Sequence, residues 1–166
     1  MPRKWYTSVF GAMKERLLRR FGDEVQTLER ELKMELPKEI QRARELGDLR
    51  ENAEYQAAKE RQTYVQARLS MLKRRMNEIA LMNMERIPHG KAGFGSTVTL
   101  REPSGTELVY QLVMPEDADA EKGFISTSSP IGRAILNREE GDSVVVSTPA
   151  GTRRFEILKL VTIHDE

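Results

Sequence analysis

The chain of 166 residues contains no cysteine. That absence excludes disulfides, thiolate metal ligands and a thiol nucleophile, and it is compatible with a reducing compartment. Histidine is almost as scarce: only His89 and His164 occur, and their spacing does not suggest a metal-ligand pair. Both are read as exposed residues without a chemical role. No stretch approaches the roughly 18 uncharged apolar residues of a membrane span, and the start Met-Pro-Arg-Lys-Trp-Tyr lacks the apolar run of a secretory signal. The expectation is a soluble, cytoplasmic protein with no membrane partner. A phosphate-cradling glycine loop, internal repeats and low-complexity segments are all missing. Aromatic residues are few, and Phe94, Tyr110, Phe124 and Phe155 are read as core rather than as a platform for stacking bases. The serine-rich run Ser126 to Ser129 has no histidine nearby in sequence, which argues against a hydrolase nucleophile there.

What is present divides into two textures. Residues 1–88 carry 19 Lys/Arg against 14 Asp/Glu, and residues 89–166 carry 8 against 12, so a net charge of +1 conceals parts of +5 and −4. A basic first part and an acidic second part imply different surroundings, although a solvated charged face accounts for most of that difference. With 39% hydrophobic residues the chain suits two small cores better than one large one.

In the first part apolar residues recur at Leu17, Phe21, Val25, Leu28, Leu32, Leu36, Ile40 and Ala43, and again at Val65, Leu69, Leu72, Met76 and Ile79. Steps of three and four mark helical stripes of the kind that pack as a coiled coil. The short segment Leu46 to Asn52 between them returns the chain antiparallel, so residues 1–88 are expected to form a helical hairpin with its tip at about 47–55. At ~1.5 Å per residue, arms of about 30 residues reach roughly 45 Å, more than a compact domain needs. Pro37 removes a backbone donor and crowds the preceding turn, which predicts a kink or break near Leu36. Residues 1–12 fit either a loose extension or further helix.

After Ile87-Pro88-His89-Gly90 the pattern changes. Residues 96–100, 107–113, 124–126, 143–146 and 154–160 read as strands, with turns at Pro103-Ser104-Gly105 and Pro149-Ala150-Gly151. Ser129-Pro130 opens a short helix to about Leu136, with serine as the cap and proline where its missing donor costs nothing. Residues 89–166 are therefore a small sheet with one short helix, and the chain as a whole is α+β.

The hairpin tip concentrates the chemistry: Gly47-Asp48-Leu49-Arg50-Glu51-Asn52-Ala53-Glu54-Tyr55 holds three carboxylates, an arginine, an amide and a phenol. Two readings stand side by side. Asp48 and Glu51 have the spacing of a capping box at the start of the second helix. They are also hard oxygen donors suited to Mg²⁺, but two acids alone do not build a tight site, so the remaining ligands would come from a partner or a substrate. On the second arm Lys73-Arg74-Arg75 is a compact basic cluster, fit to touch RNA phosphate or an acidic partner, or to be a solvated face.

The nine residues Gly47 to Tyr55 resemble the signature of the Gre transcript cleavage and elongation factors of bacterial RNA polymerase. A second, independent resemblance lies in Ile125 to Leu136, Glu140-Gly141-Asp142 and Thr148 to Gly151, and a third in Phe94 to Leu100. The acidic stretch Glu116 to Asp119 leans toward the GreA branch. The start departs from the family pattern, since Val9 to Leu17 lacks its usual Thr-x-x-Gly opening, and Pro37 is displaced by a few residues from the proline often found in this arm.

The resemblance implies an antiparallel coiled-coil hairpin followed by an FKBP-like domain. It implies that the second domain docks at the rim of the polymerase secondary channel, here through Ser129, Pro130 and Ile131. The hairpin would then enter and bring Asp48 and Glu51 to the polymerase catalytic centre. Asp48 would help hold a second Mg²⁺ shared with the polymerase, Glu51 would act through the attacking water, and Arg50, Asn52 and Tyr55 would support the tip. The outcome would be cleavage of the nascent RNA 3′ end in backtracked complexes, with the protein inert alone and no metal bound tightly by it. An alternative within the family is a channel regulator that inhibits without cleaving. Prolyl isomerase activity is disfavoured, because fold is not function and this domain has no tryptophan to build a proline pocket.

Overall fold

The computed structural model describes residues 2–47 and 52–165, with side chains from Phe10 onward; Asp48, Leu49, Arg50 and Glu51 lie outside the described residues. Contacts divide the chain into two units, Ser8–Met82 and Asn83–Glu166, with residues 1–7 assigned to the second.

The first unit is the expected hairpin. Helix α1 spans Pro2–Arg30, a π-helical turn follows at Glu31–Glu35, α2 spans Leu36–Glu45, and α3 returns over Ala53–Ala80. Residues 2–12 are thus helical rather than a loose extension. The seam buries Phe10, Met13, Leu17, Phe21, Leu28, Leu36 and Ala43 from the first arm against Ala58, Val65, Leu69, Leu72 and Ile79 from the second. Val25, Leu32, Ile40 and Met76 are half-buried beside it. Each buried leucine or isoleucine contributes on the order of 1.5–3 kcal/mol, which is why two polar-surfaced helices stay paired. The break expected from Pro37 takes a definite form: the Leu36 N–H donates five residues back, to the Glu31 carbonyl, and Pro37 stands in the first turn of α2.

Charged side chains lace the arms outside the seam. Arg68 forks onto Glu24 at 2.8 and 3.1 Å, and Arg61 onto Glu31 at 2.8 and 3.0 Å. Lys73 meets Glu29 at 2.8 Å. Near the base of the hairpin the Lys14 ammonium donates to the carbonyls of Ala80 and Met82, both at 3.0 Å, so arm one satisfies acceptors left over at the end of α3.

The second unit is a five-stranded sheet: β1 Thr97–Arg101, β2 Glu107–Val113, β3 Phe124–Ser126, β4 Ser143–Thr148 and β5 Gly151–Val161, in the order β3-β2-β1-β5-β4. All pairs are antiparallel except β2 with β3. The short helix α4, Pro130–Ile135, packs on one face. Val98, Leu100, Leu112, Val144, Val146, Phe155 and Ile157 cluster there with Ala92, Ile125 and Ile135. Burial alternates along β1 and β4, as a half-covered sheet requires. Of the four aromatics read as core, only Phe155 is fully buried; Phe94, Tyr110 and Phe124 are half-exposed, and the core is chiefly aliphatic.

Gly132 in α4 has no room for a side chain, since a Cβ there would collide with the Ser126 carbonyl oxygen. The β4–β5 hairpin turns through Pro149-Ala150, with Gly151 at φ +126°, a conformation that favours glycine.

Candidate functional site

The stems of the hairpin tip converge on Asn52. Its Oδ1 accepts from the Tyr55 N–H at 3.0 Å, making Asn52 the N-cap of α3. Its Nδ2 donates to the Ala43 carbonyl, which also accepts the Leu46 N–H at 3.1 Å where α2 ends. One amide therefore closes the end of one arm onto the start of the other. The capping box read for Asp48 and Glu51 is corrected: α3 starts four residues later than that box requires, and its cap is Asn52.

Tyr55, half-buried, faces the Arg44 guanidinium, which stands 5.9 Å from its ring centroid. The Asn52–Ala43 and Arg44–Tyr55 contacts thus form a floor beneath the tip. Gly47 at φ +127° turns the chain out of α2, a conformation an L side chain would strain. Below this floor Arg61–Glu31 and Arg68–Glu24 repeat at a seven-residue interval on both arms, so the shaft is cross-linked by charge toward its middle. Hydrogen bonds from Arg68 to Glu24, from Lys73 to Glu29 and from Arg61 to Glu31 hold all three carboxyls below their ordinary range.

The basic cluster is drawn into the protein's own ion pairs. Lys73 is bound to Glu29 across the hairpin, and Arg75 to Glu78 on its own helix at 3.0 Å; Arg74 is exposed. In the second unit Ser129 accepts from the Gly132 N–H at 3.0 Å and donates to the Ser126 carbonyl at 2.7 Å. That double role fixes the start of α4, with Pro130 exposed and Ile131 half-buried against the core.

Sequence reading missed one pairing. His89 and His164 stack with ring centroids 3.8 Å apart, and His164 Nε2 lies 2.8 Å from the Ile87 carbonyl. A gap of 75 positions hid this from any spacing argument. Among the described residues no three His, Asp or Glu side chains are grouped to hold a metal ion, and no helix is long and apolar enough to cross a membrane.

Comparison with known proteins accounts for both units. Residues 13–80 match the family described as "Transcription elongation factor, N-terminal", and residues 87–162 match "Transcription elongation factor, GreA/GreB, C-term". The chain belongs to the GreA/GreB family. Transcription elongation factor GreA of Desulfotalea psychrophila is 42% identical over 151 residues, which cover 90% of this chain and 89% of that protein. GreA of Pseudomonas putida is 46% identical over 127 residues, covering 75% and 79% respectively. Among solved structures, GreA factor homolog 1 of Thermus thermophilus is 28% identical and covers 89% of this chain and 94% of its own, with a TM-score of 0.39. The match to the N-terminal family begins at residue 13, so the first twelve residues stand outside it.

Proposed function

We propose that this GreA/GreB family member binds bacterial RNA polymerase in the cytoplasm, inserts its hairpin through the secondary channel and stimulates cleavage of the 3′ end of backtracked RNA. The observation that carries this reading is the Asn52 cap: α3 begins at Ala53 with Asn52 as its N-cap, so the acidic pair of the sequence lies just ahead of the capped helix start. A 28-residue α3 gives a shaft of about 42 Å at ~1.5 Å per residue, long enough to carry a chemical group away from a docking domain. Its inter-arm ion pairs supply stiffness along that length.

In this reading the protein is not an enzyme by itself. Mg²⁺ shared with the polymerase supplies electrophilic stabilisation of the phosphate oxygens when bound. Asp48 would provide one oxygen ligand to that ion, and Glu51 would orient or deprotonate the attacking water. Asn52 and Tyr55 hold the stems, and Arg50 supports the tip between them. Ser129, Pro130 and Ile131, at the start of α4, form the docking surface on the polymerase. Arg74 and its neighbours Lys73 and Arg75 are a secondary contact with RNA or polymerase.

The deciding experiment follows RNA 3′-end cleavage in stalled, backtracked complexes containing Mg²⁺, with the protein and with its Asp48→Asn/Glu51→Gln double variant. Cleavage by the parent and its loss in the variant, with polymerase binding retained by both, is the expected result. Binding without cleavage by the parent would replace this reading with that of an inhibitor in the same channel.

A further inference from the structure

The two arms of the hairpin are not built to the same repeat. On the second arm the buried residues Ala58, Val65, Leu72 and Ile79 follow one another at intervals of seven. On the first arm Phe21 to Leu28 is seven and Leu36 to Ala43 is seven, but Leu28 to Leu36 is eight. The half-buried flank repeats the irregularity, with seven from Val25 to Leu32 and eight from Leu32 to Ile40. At about 100° per residue, seven residues fall about 20° short of two turns, whereas eight overshoot by about 80°. An uninterrupted α-helix would therefore swing Leu36, Ile40 and Ala43 out of the seam. The π-helical turn at Glu31–Glu35 sits where the two irregular intervals overlap, and its wider turn absorbs the surplus residue.

Two features hold the turn at that place. Pro37 has no N–H to give to the Lys33 carbonyl, so a regular helix through residues 33–37 is disfavoured. Glu31, the first residue of the turn, is fixed at both ends: its carbonyl accepts from the Leu36 N–H, and both its carboxylate oxygens are taken by the Arg61 fork. Everything above the turn depends on its phase, because Ala43 must face the second arm for its carbonyl to receive Asn52.

We propose that the π-turn is a register-correcting joint that sets the rotation of α2 and hence of the acidic tip, and that Arg61 is a positioning residue holding it through Glu31. This inference rests on the tip function given above, but its first readout is independent of polymerase. The lever between Arg61 and the tip is geometric: loss of the fork frees the turn, α2 rotates against α3, and the Asn52–Ala43 bond is the first to open.

The test uses the full chain in four forms: parent, Arg61→Gln, a register-corrected form with Lys33 deleted and Pro37→Ala, and the corrected form carrying Arg61→Gln. Deleting Lys33 makes Leu28 to Leu36 seven residues, and Pro37→Ala lets a regular helix run through. Amide hydrogen exchange is measured across α2 and the first turns of α3, followed by RNA cleavage and polymerase binding. Arg61→Gln is expected to speed exchange in α2 about fivefold or more and to reduce cleavage several-fold with binding unchanged. Arg61→Lys, which keeps charge but not the fork, should recover only part. In the corrected background Arg61→Gln should have little effect on either readout. Equal effects of Arg61→Gln in both backgrounds, or no change in α2 exchange in the parent background, would overturn the joint. A parent that binds without cleaving would overturn the tip function while leaving the exchange result to decide the joint.

Discussion

The side-chain amide of Asn52 joins two helix ends at once, capping the Tyr55 N–H with its oxygen and giving its Nδ2 hydrogen to the carbonyl of Ala43. Asn52→Ala should lower stability by about 1–2 kcal/mol, the usual cost of losing a cap. Asn52→Asp keeps the acceptor but loses the donor to Ala43, so it should recover helix capping without restoring the bridge between arms. Denaturant melts report the first effect, and hydrogen exchange at Ala43 to Leu46 the second; equal exchange in all three proteins would refute the bridging role.

Asp48→Asn and Glu51→Gln, singly or together, should reduce stimulated RNA cleavage about 100-fold or more, the range typical of lost acid–base groups. Polymerase affinity and melting temperature should change little, because the N-cap of α3 is Asn52. A drop in affinity as large as the drop in cleavage would assign the tip to docking.

Glu24, Glu29 and Glu31 each have a carboxyl held below the ordinary value of 4.5 in the folded hairpin by hydrogen bonds from Arg68, Lys73 and Arg61. A depressed folded pKa means that the unfolded chain binds protons first as pH falls. The stabilisation is therefore fully present above 4.5 and is lost as pH drops through the lower folded values. Thermal melts should show a hairpin transition falling below pH 4.5, and Glu24→Gln/Glu31→Gln should lie below the parent at neutral pH and approach it in acid. A constant gap between the two curves from pH 7 to pH 3 would contradict this.

Gly132→Ala should destabilise the second unit by about 1–3 kcal/mol, since the new methyl would be driven into the Ser126 carbonyl at the start of α4. Arg133→Ala, on an exposed position of the same helix, is the control. Calorimetry that found both variants as stable as the parent would mean that α4 shifts without cost.

Much of this was legible in local pattern. Alternation and turn residues placed all five strands, with β4 reaching two residues further and β5 beginning three earlier than read, because ladder pairing carries both into the Pro149-Ala150 turn. The apolar stripes foretold both arms of the hairpin, since a helix records its buried face in its own spacing. The cap was misplaced because Asp48 and Asn52 are both good capping residues four positions apart; Asn52 is the one that caps α3, and its side chain also bonds the Ala43 carbonyl on the other arm. Likewise the run Leu28, Leu32, Leu36, Ile40 looked continuous, and the surplus residue showed only against the unbroken sevens of α3.

The sequence by itself determined which segments are helix and strand and where the described chain turns, because propensity, periodicity and turn chemistry act over a few neighbours. Tertiary structure alone decided that Asn52 bridges the stems, that a π-turn rephases the first arm, that Arg61 and Arg68 fork onto Glu31 and Glu24, and that His89 stacks on His164. The forks and the histidine stack join residues far apart in the chain, and the Asn52 bridge and the π-turn, though local, answer to how one arm faces the other, so all of them depend on the register in which whole elements pack.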